Sequence, residues 1–404
     1  MPRLAISSAD GLPWAWCFPC RWSCSAFGPC GAQTGQPPGM PDLSLKERLK
    51  RLIATTGPIS VADYMAACLG DREAGYYTTR EPFGREGDFI TAPEVSQMFG
   101  ELIGIWCLSE WDALARPANF VLCEIGPGRG TLMSDMLRTI GRLAPQMLGG
   151  ARIAMVETSP RLAEKQKQKL AGTKAHVEWF ERFADISADT VHGPLILVTN
   201  ELFDAIPFRQ FVKADGRFVE RMIALNEQDE FQFVSGAGGI DPALLPKDHV
   251  KAEEGAIFEA APARTALMQE IASRIAATRG AALNIDYGHL ESGFGDTLQA
   301  MLKQAYDDVF AHPGVADLTS HVDFDILQKT AKACGCKTGT MTQGEFLLAM
   351  GLVDRAGRLG AGKDAAFQEK IRQDVERLAA PDQMGTLFKV LAFSDEQTRL
   401  LPFE

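Results

Sequence analysis

The stretch Phe120-Val-Leu-Cys-Glu-Ile-Gly-Pro-Gly-Arg-Gly-Thr-Leu-Met-Ser-Asp-Met-Leu137 decides how this chain is read. Phe120 to Ile125 is a short apolar run of the kind that forms a buried parallel strand. It breaks at Gly126, Gly128 and Gly130, and then Leu132, Met133, Met136, Leu137 and Ile140 recur at helical spacing, with Thr131 at the helix start. A strand, a glycine turn and a helix N-terminus bring backbone N–H groups to a ligand with no Cβ in the way. In a doubly wound sheet such a crevice, at the carboxyl ends of the strands, is where nucleotides bind.

The spacing narrows the ligand. A phosphate-binding P-loop carries Lys-Ser or Lys-Thr after its last glycine, whereas Thr131-Leu132 follows here. The dinucleotide fingerprint places its third glycine three positions after the second, whereas Gly130 comes two after Gly128. Glu124, Gly126, Gly128 and Gly130 instead resemble the first motif of class I S-adenosylmethionine (SAM) methyltransferases; the competing reading is a purely structural turn.

Working outward, the 404 residues hold one large domain or two ordinary ones, and 46% hydrophobic with 23% charged residues is ordinary for a globular protein. No apolar run reaches the ~18 residues of a membrane span. With 41 basic against 52 acidic residues the net charge is -11, which argues against nucleic-acid binding. Four of the nine cysteines (Cys17, Cys20, Cys24, Cys30) crowd the start and the rest are scattered, which suits a reducing compartment better than a disulfide frame. Residues 1–39 differ from the rest in composition and read as a disordered leader or an over-extended start, with Met40 the true beginning.

From Met40 to residue 119 the pattern is helical: Leu45 to Ile53, then a helix capped by Ser60, then one from about Val95 to Leu114, a block placed to cap the crevice. The segment 120–300 alternates strand and helix, with strands at Ala151 to Val156, Val177 to Trp179, Leu195 to Val198 and Ala281 to Asp286. Between about 207 and 248 the rhythm becomes that of β-hairpins inserted into this core. Residues 301–404 complete it with helices near Phe324 to Cys334 and Ala365 to Leu378, and a closing strand, Thr386 to Phe393. The expected fold is α/β: a Rossmann-like doubly wound sheet with an N-terminal helical cap and a β-hairpin insertion.

Glu157 closes the second strand, where an acid accepts hydrogen bonds from a ribose diol. Asn200-Glu201-Leu202-Phe203-Asp204-Ala205-Ile206-Pro207 follows another apolar strand, so two carboxylates and an amide reach the same edge as the glycine turn. They suit a cationic substrate or its proton; the alternative is a helix N-cap by Asn200 with a dipole-favoured acid. Asp286-Tyr287-Gly288-His289 reaches that edge too, and Gly314 to Phe324 is a polar span between helices. His289 and His321 lack the spacing of metal ligands, so no metal is expected.

The blocks Gly57 to Met65, Gly87-Asp88-Phe89-Ile90-Thr91 to Ser96, Glu124 to Leu132, Glu157-Thr158-Ser159, Asn200 to Pro207, Asp286 to His289 and Ala316 to Phe324 together resemble the MidA-like SAM-dependent methyltransferase family, in family order from about Leu45 to Phe393. The resemblance implies a class I methyltransferase with SAM as donor. It also implies a protein substrate, an arginine on an NADH dehydrogenase (complex I) subunit, as in the family's mitochondrial arginine methyltransferase. Carried onto this chain, Glu124, Gly126, Gly128, Gly130, Glu157, Asp88 and Thr91 would hold the cofactor, and Asn200, Glu201 and Asp204 would face the reacting groups. A bacterial cytoplasm is the preferred compartment, the mitochondrial matrix the eukaryotic one. The competing functions are a small-molecule methyltransferase, a SAM-binding assembly chaperone without turnover, and an NAD-dependent oxidoreductase, the last disfavoured by the glycine spacing.

Overall fold

The apolar runs and two more polar edge strands become neighbours in one sheet: β1 (Phe120–Ile125), β2 (Ala151–Val156), β3 (His176–Phe180), β4 (Leu195–Asn200), β5 (Gly280–His289), β6 (Lys337–Thr342) and β7 (Phe388–Ser394). Their spatial order is β6-β7-β5-β4-β1-β2-β3. From β5 to β3 every pairing is parallel, and β7 runs antiparallel to both β5 and β6. This computed structural model describes residues 43–79, 91–186 and 193–403. The leader and Asp88 lie outside the described residues.

The strands are almost wholly apolar because helices cover both faces. Alternate side chains serve opposite layers. Phe120, Leu122, Ile196 and Val198 join Leu132, Met136 and Ile140 of the helix Thr131–Leu143 and Phe99, Leu102 and Trp106 of the helix Gln97–Ala113. Val121, Cys123, Leu195 and Leu197 face Met268, Ile271 and Ile275 of the helix Pro262–Thr278, and Phe324 and Leu327 of the helix Phe324–Ala333. The fold is thus α/β and doubly wound.

Several elements depart from the sequence-based expectation. The helix Pro262–Thr278, inside the alternating segment, opens on Pro262, whose fixed φ suits the first turn. The Thr-rich edge strand β6 alternates too weakly to be read from sequence. The polar span after Gly314 is not a bare connection: Asp317–Thr319 joins a three-stranded sheet with Gln299–Leu302 and Ala305–Asp307, and Val322–Asp323 pairs with the end of β5.

The inserted strands Arg209–Ala214, Arg217–Leu225 and Phe231–Gly239 form a five-stranded sheet with Ile257–Ala260 and with Ile59–Ser60 from the N-terminal block. Leu45, Leu49, Tyr64 and Met65 of the first two helices accordingly share a core with Phe208, Ile223, Phe231 and Leu318. Ser60 starts the second of these helices through a capping box: its Oγ accepts the Asp63 N–H at 3.0 Å and donates to Asp63 Oδ2 at 2.6 Å. Ser60→Ala is expected to cost about 1 kcal/mol, read by urea unfolding, with cofactor affinity unchanged.

Candidate active site

Registers at the carboxyl edge set Ile125 beside Val156 and Thr199, and Asn200 beside Ile285. The turn after β1, the acid after β2 and the segments after β4 and β5 therefore emerge side by side. Strand order reverses between β1 and β4, which opens a crevice at that point.

The turn is left-handed at Gly126 (φ 69°), Gly128 (φ 52°) and Gly130 (φ 76°), conformations that side chains resist. Gly130 is the N-cap of the 13-residue helix, and Thr131 begins it without a capping bond. Thr131 Oγ1 instead donates to Glu94 Oε1 at 2.5 Å and accepts Lys169 Nζ at 2.7 Å, which ties the short helix Ala92–Val95 to the rim.

Thr91, Glu94, Glu124, Gly126, Gly128, Asn200 and Glu201 line one pocket. Two buried oxygens there, Glu124 Oε2 and Asn200 Oδ1, have no hydrogen-bond partner among the described residues. An acceptor left without a donor in a glycine cradle fits a ligand that brings an ammonium group. Burial, with the charge of Glu157 adding, pushes the Glu124 carboxyl up to about 8.

Glu201 is half-buried on a left-handed backbone (φ 51°). Its Oε1 accepts from the Ala92 N–H at 3.3 Å and from Asn200 Nδ2 at 3.1 Å. Burial, then the neighbouring Asp204 charge, raises it to about 8. No helix follows Asn200, so the capping reading fails; residues 201–206 form a turn. That turn hangs on Asp286, whose Oδ2 accepts the N–H groups of Leu202, Phe203 and Asp204 at 3.1, 2.9 and 3.2 Å.

Asp204 is not brought to the crevice wall. It is buried behind Glu201, its Oδ2 accepting the Tyr287 hydroxyl at 2.8 Å. Arg264, also buried, donates to the carbonyls of Asp204, Ile206 and His321 and to Ser320 Oγ, so a fixed cation lies beside the acids. Glu157, after β2, accepts the Ser159 N–H at 2.8 Å and Gln166 Nε2 at 3.0 Å, and burial raises its pKa. Sequence reasoning missed Arg264 and Gln166, since nothing in a polar helix pattern marks which side chain turns inward.

The raised acids have a consequence for stability. The folded protein holds protons on Glu124 and Glu201 up to about pH 8, while the unfolded chain releases them near 4.5. Between those values the folded state binds more protons, so the ligand-free protein is expected to lose stability as pH rises through the interval. Melting temperature against pH checks this, and Glu201→Gln should flatten part of the slope.

A separate cleft of about 800 Å³ lies between the inserted sheet and the helices Pro262–Thr278 and Phe324–Ala333. Phe208, Phe211, Phe258 and Phe294 wall it, and its charged groups largely satisfy one another or the backbone, as His289 does with Asp323 at 3.6 Å. It offers neither the glycine turn nor an orphaned acceptor. Among the described residues no three His, Cys, Asp or Glu side chains converge as metal ligands.

The parallel order, the acid-and-glycine turn and the acid after β2 define a methyltransferase of the class I architecture. The family described as "Putative S-adenosyl-L-methionine-dependent methyltransferase" matches residues 102–342, and the chain belongs to it. Its cofactor is SAM. The chain is 34% identical to protein arginine methyltransferase NDUFAF7, mitochondrial, of Danio rerio, covering 86% of each, and 36% identical to the Drosophila melanogaster homologue over 86% of this chain and 84% of that one. The human protein of the same name is 32% identical over 90% of this chain and 86% of its own length. A Burkholderia thailandensis protein crystallised with S-adenosyl-homocysteine (SAH) superposes with a TM-score of 0.72 at 25% identity, covering 90% of this chain and 96% of that one.

Proposed function

We propose that the chain is a protein arginine N-methyltransferase, that Glu201 holds the acceptor guanidinium, and that the substrate is an NADH dehydrogenase subunit. The observation that carries the acceptor role is Glu201 itself, a carboxylate on the crevice wall that has no cationic hydrogen-bond partner among the described residues. The curated relatives bear the arginine methyltransferase name, and the complex I subunit rests on the family resemblance. Those relatives are named as mitochondrial, which supports a mitochondrial compartment here over the cytoplasmic expectation.

Bound SAM supplies an electrophilic methyl group on a sulfonium. In the proposed site Glu124 and the glycine turn hold the amino-acid end and Glu157 holds the ribose. Asn200 steadies Glu201 by donating to it, and the Asp286-anchored turn fixes where that carboxylate points. A guanidinium remains charged at any protein pH. Ionised Glu201 binds two of its N–H groups, orients the nitrogen that attacks, and can receive the proton that nitrogen loses. Helix Ala92–Val95, tied to Glu201 and Thr131, covers the rim and limits water.

Methyl-labelled SAM incubated with the protein and host lysate tests this. Label on arginine of an NADH dehydrogenase subunit is the expected result; label confined to small molecules overturns it.

A further inference from the structure

One side chain joins the glycine turn to the acid after β2, two parts of the cofactor site that the sequence left separate. Gln166, on the helix Pro160–Leu170, is fully buried. Its Nε2 donates to the Gly128 carbonyl at 2.8 Å and to Glu157 Oε2 at 3.0 Å, and its Oε1 accepts Trp179 Nε1 at 3.0 Å. The amide has only one workable orientation, because an indole N–H only donates and a carbonyl only accepts. A Cβ on Gly130 would sit 3.3 Å from Gln166 Cγ, so the same side chain also braces the end of the turn.

We infer that Gln166 is a positioning residue for the cofactor ribose: through Trp179 it locks the Glu157 carboxylate to the glycine turn. This inference rests on the reading that Glu157 takes the ribose hydroxyls. The Ser159 N–H holds one oxygen of Glu157 and Gln166 the other, so rotation of the carboxylate would break one of the two bonds. Without the amide, Glu157 keeps only its backbone anchors at Thr158 and Ser159 and loses the one side-chain donor that ties it to the glycine turn. Glutamine meets both demands at once: two donors toward the acceptors and one acceptor toward the indole. Glutamate in its place would set a carboxylate against Glu157 and the Gly128 carbonyl.

The test measures binding of SAH and of its analogue lacking both ribose hydroxyls, by calorimetry, to wild type, Gln166→Leu, Glu157→Gln and the double variant. Gln166→Leu is expected to weaken SAH about tenfold, the scale of one lost hydrogen bond to a charged group, and the dideoxy analogue clearly less, by the part due to the lost brace on the turn. In the preference for SAH over the analogue, the double variant should lose no more than Glu157→Gln alone. If Glu157→Gln leaves the preference for SAH over the analogue intact, the ribose reading fails. If Glu157→Gln removes that preference and Gln166→Leu does not, or Gln166→Leu weakens both ligands equally, the positioning role fails and the ribose reading stands. Trp179→Phe removes only the anchor of the amide and is expected to show the same selective loss, a few-fold in size. It decides the question if Gln166→Leu does not fold, and an unchanged SAH preference in Trp179→Phe would then overturn the inference.

Discussion

Gly128→Val is expected to remove SAM binding, lowering affinity by about 100-fold or more while the sheet still forms. Gly128 sits at φ 52°, a conformation that a β-branched residue scarcely adopts. It also lines the crevice between Glu124 and the helix start, so a valine side chain would occupy space the cofactor needs. The strain acts on a surface turn, whereas the stabilising clusters lie on the two sheet faces, so the melting temperature should fall by only a few degrees. Gly128→Ala separates the two causes: it keeps most of the strain and removes most of the bulk. Calorimetry with SAH on folded Gly128→Val checks the assignment, and unchanged affinity would show that the ligand approaches elsewhere.

The sheet was legible because its strands are buried on both faces, which leaves runs such as Leu195-Ile196-Leu197-Val198 with almost no polar interruption. The glycine turn was legible because left-handed backbone selects a residue type. Glu201 was legible as a candidate only through its place after a strand; its left-handed backbone carries no such residue signature, since glutamate is a poor choice there. What stayed hidden were long-range partners. Arg264 lies 60 residues from the Asp204 carbonyl it binds, and Asp286 lies 84 residues from the Leu202 amide it accepts. Edge elements were hidden for a different reason. An edge strand such as β6, half-buried along most of its length, needs neither continuous apolar character nor strict alternation. Asp204, grouped with Glu201 by its neighbourhood in sequence, turns inward because the turn on Asp286 directs it to Tyr287.

Glu201→Gln should leave SAM affinity nearly intact and slow methyl transfer by roughly 10²-fold or more, the scale of losing a positioned charged group. The amide keeps the shape and can still accept from the Ala92 N–H and Asn200, so the turn and its anchor on Asp286 persist. What disappears is the negative charge that would pair with a guanidinium. Because Glu201 is raised to about 8 in the free protein, wild-type kcat/KM should climb with pH through that value as the carboxylate ionises, and the variant should lack this limb. Glu124 titrates in the same range, so SAM affinity measured across pH separates the two: Glu124 would move the affinity, Glu201 the transfer step. Asp204→Asn is expected to act less on transfer and more on stability, since its side chain holds Tyr287 and does not line the crevice. Single-turnover methylation on folded variants is the measurement. Full transfer by folded Glu201→Gln would remove the acceptor role and leave arginine as substrate supported by relatedness alone.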